Sequence, residues 1–335
     1  MASSDLFRLA GQLVAVGPEG SRMDAPLTRL IEDGAVGSVI LFRRNCPDSD
    51  TVRRFLEALQ RRARTPLLTL IDQEGGRVQR LVEDRFTLPS ARELAGLDAE
   101  TLEQTVYLVA RRLKEIGLHV NLAPVLDIDS NPANPVIGDR AFGRDIETVW
   151  ACASAYRCGL RRAGLFACGK HFPGHGDTEK DSHLELPVVR HDRERLLSFE
   201  IEPFRRAARE GWKLLMASHV LYPALDPDEP ASLSHAISTD LLRRELGFRG
   251  VLVSDDVQMK AVAERYPVKT LVERFLNAGM DLLLVCNSLE LTAEVHRAIV
   301  RLVEDGVLPM ERVRQSAKRI HDLKRDLGLF GDPVA

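Results

Sequence analysis

"VLVSDD", residues 251–256, is a short β-branched apolar run that ends abruptly in two carboxylates. Seven other runs repeat the pattern: "LVAVG" (13–17), "VGSVILF" (36–42), "LLTLID" (67–72), "HVNLAP" (119–124), "FACGKHF" (166–172), "LLMASHV" (214–220) and "LLLVCN" (282–287). A polar or glycine-rich turn and then a longer amphipathic segment follow them, with helices expected over 49–64, 99–117, 146–164 and 290–306. Several of these segments begin at Ser, Asp or Thr and end at Gly, as capped helices do. The runs are apolar almost throughout, which implies a sheet covered on both faces and therefore parallel strands.

Eight strand–helix units in 335 residues predict an α/β chain folded as a closed (β/α)8 TIM barrel, a single domain over 1–335. An open doubly wound sheet is the alternative, but no G-x-G-x-x-G follows the first strands. Polar residues gather where the runs end: Asp72, Asp127, Lys170, His171, His219, Asp255, Asp256 and Asn287. Active sites of this barrel lie at that end of the strands, so one distribution supports the fold and locates the chemistry.

Bulk properties narrow the function. Apolar residues make up 44% and charged residues 28%, with a net charge of −3, the balance of a folded protein with no field to attract nucleic acid. Asp5 and Arg8 interrupt the start of the chain, so no secretory signal is expected, and no stretch approaches the roughly 20 apolar residues of a membrane span. The five cysteines (Cys46, Cys152, Cys158, Cys168, Cys286) show neither zinc-ribbon spacing nor an even number for disulfides. They read as small buried apolar residues in a reducing cytoplasm.

The densest chemistry is "KHFPGHGDTEKDSH" (170–183). As a metal site it offers His171 and His175, then Asp177, Asp181 and His183, but Pro173 and Gly174 oppose a continuous helix, so the ligands would have to converge from a loop. As a phosphate loop it fails, because the lysine precedes the glycines and no G-K-[ST] occurs. As the end of a strand plus a loop, it gives Lys170 and His171 as donors to a polar ligand. Asp181 and His183, two apart and on one side of an extended stretch, form an orienter and an acid/base.

Asp255, expected to face the barrel mouth, is a suitable partner: a carboxylate there can attack an acetal carbon while the imidazole protonates the leaving oxygen. The same "SDD" could instead cap the next helix. "DQEGGRVQRL" (72–81) supplies Asp72, Arg77 and Arg80, and "NPANPVIGDRAFGRD" (131–145) supplies Arg140, residue types that bind sugar hydroxyls but also form ordinary ion pairs. His191, His296 and His321 read as structural, and His119 has no assigned role.

With these stretches assembled, the sequence resembles the single-domain bacterial β-N-acetylglucosaminidases of glycoside hydrolase family 3. The matching segments are "IDQEGGRVQRL", "LAPVLDI", "NPVIGDRAFGRD", "GKHFPGHGDTEKDSHLELP" and "VLVSDDVQMKAV", in that order across about residues 70 to 262. The resemblance implies a retaining hydrolase that removes terminal β-linked N-acetylglucosamine. Asp255 would be the nucleophile, His183 the acid/base and Asp181 its dyad partner, with Asp72, Arg80, Arg140, Lys170 and His171 contacting the sugar.

Members with this short architecture typically act in the cytoplasm on N-acetylglucosaminyl-1,6-anhydro-N-acetylmuramyl peptides during cell-wall recycling. Other branches draw a glutamate acid/base from a second domain, for which a chain ending at 335 leaves no room. The expected partner is a small carbohydrate, with no nucleic acid, membrane, metal or cofactor; a monomer suits this reading, and the oligomeric state is left open. The loop bearing His183 is expected to carry it in and out of the site. Four rival readings remain: assistance by the substrate's acetamido group, a family-3 phosphorylase, a metal-dependent amidohydrolase on the same barrel, and a non-catalytic sugar-binding barrel.

Overall fold

The computed structural model describes residues 2–178 and 186–331. All eight runs become strands: β1 (Val14–Val16), β2 (Ser38–Leu41), β3 (Leu68–Ile71), β4 (Val120–Asn121), β5 (Phe166–Phe172), β6 (Leu214–Ala217), β7 (Val251–Asp256) and β8 (Leu282–Val285). Each pairs in parallel with its sequence neighbour, and β8 pairs with β1 to close the barrel. Most strands are shorter than their runs, because the ladder stops where the chain turns toward the mouth. β4 keeps only two ladder residues before the backbone reaches Pro124, which has no N–H to donate.

The helices begin where their caps predict. Asp48, Asp98, Asp145 and Ser288 accept hydrogen bonds from the backbone N–H of Thr51, Thr101, Thr148 and Leu291, satisfying donors that a helix start leaves open. Helices Ser49–Arg62, Ala99–Glu115, Ile146–Arg162 and Leu289–Glu304 agree with the expected spans to within two residues at each end. No helix among the described residues is long and apolar enough to cross a membrane.

Two apolar layers result from strand alternation. Ile40, Leu68, Leu70, Val120, Leu122, Leu214, Met216, Val251, Val253, Leu282 and Leu284 pack together inside the barrel, and Ile320 and Leu323 of helix Met310–Asp326 join them. The alternate residues, such as Val39, Ile71, Leu215, Leu252 and Leu283, pack in the outer layer with the helices. In the same last helix Lys324, fully buried, donates to Gln12 Oε1 at 2.7 Å and to the Gly37 carbonyl at 2.8 Å.

The histidines read as structural have structural partners. His296 donates to the Phe7 carbonyl at 2.9 Å, His321 stacks on Phe330, and His191 pairs with Asp177 at 2.7 Å. His119 is buried against Thr69. Cys46, Cys168 and Cys286 are buried and Cys152 and Cys158 half-buried, all as thiols.

Candidate active site

The two-residue period that fills the barrel also builds its mouth. Continuing the inward sets by one step from Ile40, Leu70, Cys168, Val253 and Leu284 brings Phe42, Asp72, Lys170, Asp255 and Cys286 to the same side. All five line one cavity of about 450 Å³, within the usual range for a small-molecule site. Ile40, Leu122, Met216 and Leu284 form its apolar part, and Arg80, Arg140, His171, His175, Asp256 and Asn287 also face it.

Asp72, Arg80, Arg140, Lys170, His171 and Asp255, from β3, β4, β5 and β7 or the loops that follow them, thus line one cavity. Asp181 and His183 lie outside the described residues.

The charged groups are interlocked. Lys170 Nζ stands 2.9 Å from Asp72 Oδ1 and 2.6 Å from Glu74 Oε1, and Arg80 reaches Asp72 Oδ2 at 3.0 Å. Burial pushes the Asp72 and Glu74 carboxyls upward, but the cations beside them win and hold both below the ordinary carboxylate range. Lys170 is held above its ordinary value by the reverse balance, with burial lowering it and Asp72 and Glu74 raising it. Lys170, Asp72 and Glu74 therefore favour their charged forms together in a buried wall.

Glu74 was not singled out in the sequence; it sits two residues beyond Asp72 and lines the same cavity. The turn that follows requires glycine: Gly75 has φ +118°, and a Cβ there would lie 2.1 Å from the Pro89 carbonyl.

His171 is fixed by Asp127, which is fully buried: its Oδ2 accepts from the ring Nδ1 at 2.7 Å, and its Oδ1 accepts the backbone N–H groups of His171 and His175. The Lys170–His171 and Phe172–Pro173 peptides are cis. Just beyond, the chain runs against the 128 backbone so closely that a Cβ at Gly176 would meet the Ile128 carbonyl at 1.6 Å. Asn134 clamps this segment, its amide nitrogen donating to the His175 and Gly176 carbonyls while its oxygen accepts from the N–H of Val136 and Ile137. The loop that carries Arg140 is thereby tied to the root of the loop that leads to Asp181.

For the metal reading, His171 Nδ1 is committed to Asp127, and His175 Nδ1 pairs with Thr178 at 2.9 Å. Burial and the neighbouring His171 press His175 down to about 4. Among the described residues no three His, Cys, Asp or Glu side chains are grouped to hold a metal.

Asp255 and Asp256 differ although adjacent. Burial drives the Asp255 carboxyl up, yet His219, His171, the Asp256 N–H and Lys170 draw it below the ordinary range. Asp256, buried and next to that charge, is pushed up to about 6; its Oδ1 accepts the N–H groups of Gln258 and Cys286. The cavity thus presents one carboxylate kept ionised at the tip of β7, flanked by donors suited to hydroxyl oxygens.

Residues 8–323 match the model of the glycosyl hydrolase family 3 N-terminal domain. A β-hexosaminidase of Alkalilimnicola ehrlichii is 38% identical over 326 residues, covering 95% of this chain and 92% of its own. One from Methylococcus capsulatus is 40% identical, over 90% of this chain and 96% of its own. A solved family 3 β-N-acetylglucosaminidase from Paenibacillus sp. str. FPU-7 superposes with a TM-score of 0.94 at 38% identity, over 98% of this chain and 64% of that longer protein.

Proposed function

This chain belongs to glycosyl hydrolase family 3 and is a β-N-acetylhexosaminidase, and from that premise we propose that it releases terminal β-linked N-acetylglucosamine from N-acetylglucosaminyl-1,6-anhydro-N-acetylmuramyl peptides by way of a glycosyl-enzyme on Asp255. The observation that carries this reading is the ionised Asp255 at the floor of a cavity lined by Asp72, Arg80, Arg140, Lys170 and His171.

In the first step an Asp255 oxygen bonds to the anomeric carbon. The bond from that carbon to the leaving oxygen breaks, and His183 supplies the leaving oxygen with a proton. In the second step water bonds to the anomeric carbon from the vacated side, its proton passes to His183, and the ester to Asp255 breaks. Asp181 is assigned as the dyad partner of His183, tuning the basicity of its imidazole. The five polar residues hold the sugar hydroxyls, and that binding helps the rate only to the extent that it aligns the attack. The sequence motifs support the roles of Asp181 and His183. The proposed setting is cell-wall recycling in the cytoplasm.

The test is to incubate the protein with 4-nitrophenyl N-acetyl-β-glucosaminide, the matching glucoside, and the anhydromuramyl peptide, with and without inorganic phosphate. Release from both N-acetylglucosaminides but not from the glucoside, at a rate indifferent to phosphate, is expected. Phosphate dependence with a sugar 1-phosphate product would replace hydrolysis by phosphorolysis, and inertness toward the anhydromuramyl peptide would remove the recycling substrate.

A further inference from the structure

On its β6 side the regular sheet does not hold the end of β7, although Asp256 still pairs with Leu284 of β8. The ladder of β7 with β6 ends at Ala217–Ser254, and its register with β8 shifts between Val253 and Asp256. Asp255 and Asp256 therefore lie where backbone pairing on the β6 side has stopped.

A side chain takes over there. His219, two residues beyond β6 and 1% exposed, places Nε2 3.0 Å from the Asp256 carbonyl and Nδ1 2.7 Å from Ser232 Oγ. A carbonyl only accepts, so Nε2 bears the proton; the Ser232 hydroxyl can donate to Nδ1 or accept from it, so the bridge survives in either charge state of the ring. Ser232 is fully buried and tied back by its N–H to the Ser218 carbonyl at 3.2 Å, and Phe275 packs beside the imidazole at 5.8 Å. The ring thus has little freedom to turn.

On the other side of the same residue, the Asp256 N–H donates to Asp255 Oδ1 at 2.8 Å. One face of residue 256 is gripped by His219 while the other aims the carboxylate. The Asp256 carbonyl also accepts the Met259 N–H at 3.0 Å, which holds the following turn but reaches nothing on β6.

We infer that His219 is a positioning residue for this reaction, aiming the Asp255 carboxylate through the backbone of Asp256. The inference rests on the reading of Asp255 as nucleophile. It assigns His219 no contact with substrate; its effect is on the alignment of the attacking oxygen, where a shift of about 1 Å can cost roughly 100-fold in rate. The groups that act on the Asp255 charge are His219 from the β6 side, His171 and Lys170 from β5, and the neighbouring Asp256. Attack needs the carboxylate ionised, so loss of the imidazole, which helps to keep it so, moves the acid limb of the pH–rate profile upward.

The experiment compares His219→Gln, His219→Asn and His219→Ala with the parent and with Asp255→Asn, on 4-nitrophenyl N-acetyl-β-glucosaminide from pH 4 to 9, with the thermal midpoint of each. A Gln amide reaches about as far as the imidazole Nε2 and can donate to the Asp256 carbonyl, whereas Asn stops one bond short. His219→Ala and His219→Asn are expected to lower kcat by about 10- to 100-fold with KM within about threefold, and to raise the acid limb, while His219→Gln recovers most of kcat. Should the Ala variant fail to fold, the Asn and Gln pair decides on the same measurements. Parent kcat and an unmoved acid limb in His219→Asn or His219→Ala would overturn the inference, as would equal losses in the Gln and Asn variants. If Asp255→Asn turns over like the parent, the nucleophile reading itself fails; if it is inactive while His219→Ala is fully active, only the role of His219 does.

Discussion

Arg140 grips Glu74 through two parallel bonds of 2.8 Å, Nε to Oε2 and a terminal nitrogen to Oε1. The same carboxylate reaches Lys170, so two of the proposed sugar-binding cations share one buried counter-charge. That pairing sets their positions before substrate arrives, which is what a site must do to spend little on ordering at the moment of reaction.

Replacing Glu74 by Gln leaves the shape but removes the charge that offsets Arg140 and Lys170. Breaking a buried pair costs about 3 kcal/mol or more, because the partner is left uncompensated. The variant is expected to unfold at lower denaturant and to lose at least about tenfold in kcat/KM. Denaturant titration and steady-state kinetics check it, and a variant matching the parent in both would show that Glu74 is a bystander.

Much of this site was legible in the sequence, and the reason is geometric. Short runs ending in polar residues specify a barrel, and a period of two carries the pattern from the packed interior to the mouth, so Asp72, Lys170 and Asp255 could be placed without coordinates. Glu74 is not marked by the strand pattern, because it lies three residues beyond the end of β3, against the Gly75–Gly76 turn, where a strand period no longer assigns direction. Asn134 and Asp127 work by pairing with backbone groups distant in sequence, and no local pattern announces such contacts. The bridge from His219 to Asp256 depends on where the β6–β7 ladder stops, which only the assembled sheet reveals.

Lys324 gives a pH-dependent prediction away from the site. Burial presses it down to about 7 from the ordinary lysine value of 10.5, and among the described residues no carboxylate pairs with it. The folded protein sheds this proton near pH 7, whereas the unfolded chain keeps it to about 10.5. Between those values the unfolded state binds more protons, so this group makes stability rise with pH, by at most about 1.4 kcal/mol per pH unit, and the gain is absent below the window. Unfolding free energies of the parent and Lys324→Met, measured from pH 6 to 9.5, are expected to diverge above pH 7 in the parent's favour. Parallel curves would mean that the lysine stays protonated when folded.

The role proposed for His183 separates substrates by their leaving group. His183→Ala is expected to slow cleavage of the anhydromuramyl peptide by about 10²- to 10⁴-fold, and the first step on a nitrophenyl glycoside much less, since nitrophenolate needs little protonation. Pre-steady-state bursts distinguish the steps. Equal losses on both substrates would leave His183 a structural part of its loop.

The central claim is the covalent bond to Asp255, and the most direct measurement is the mass of the protein trapped with a fluorinated N-acetylglucosaminyl fluoride that turns over slowly. An adduct of one sugar, mapped by proteolysis to the peptide bearing Asp255 and absent from Asp255→Asn, is the expected result. A catalytically active protein that forms no adduct, or one labelled on another residue, would contradict it.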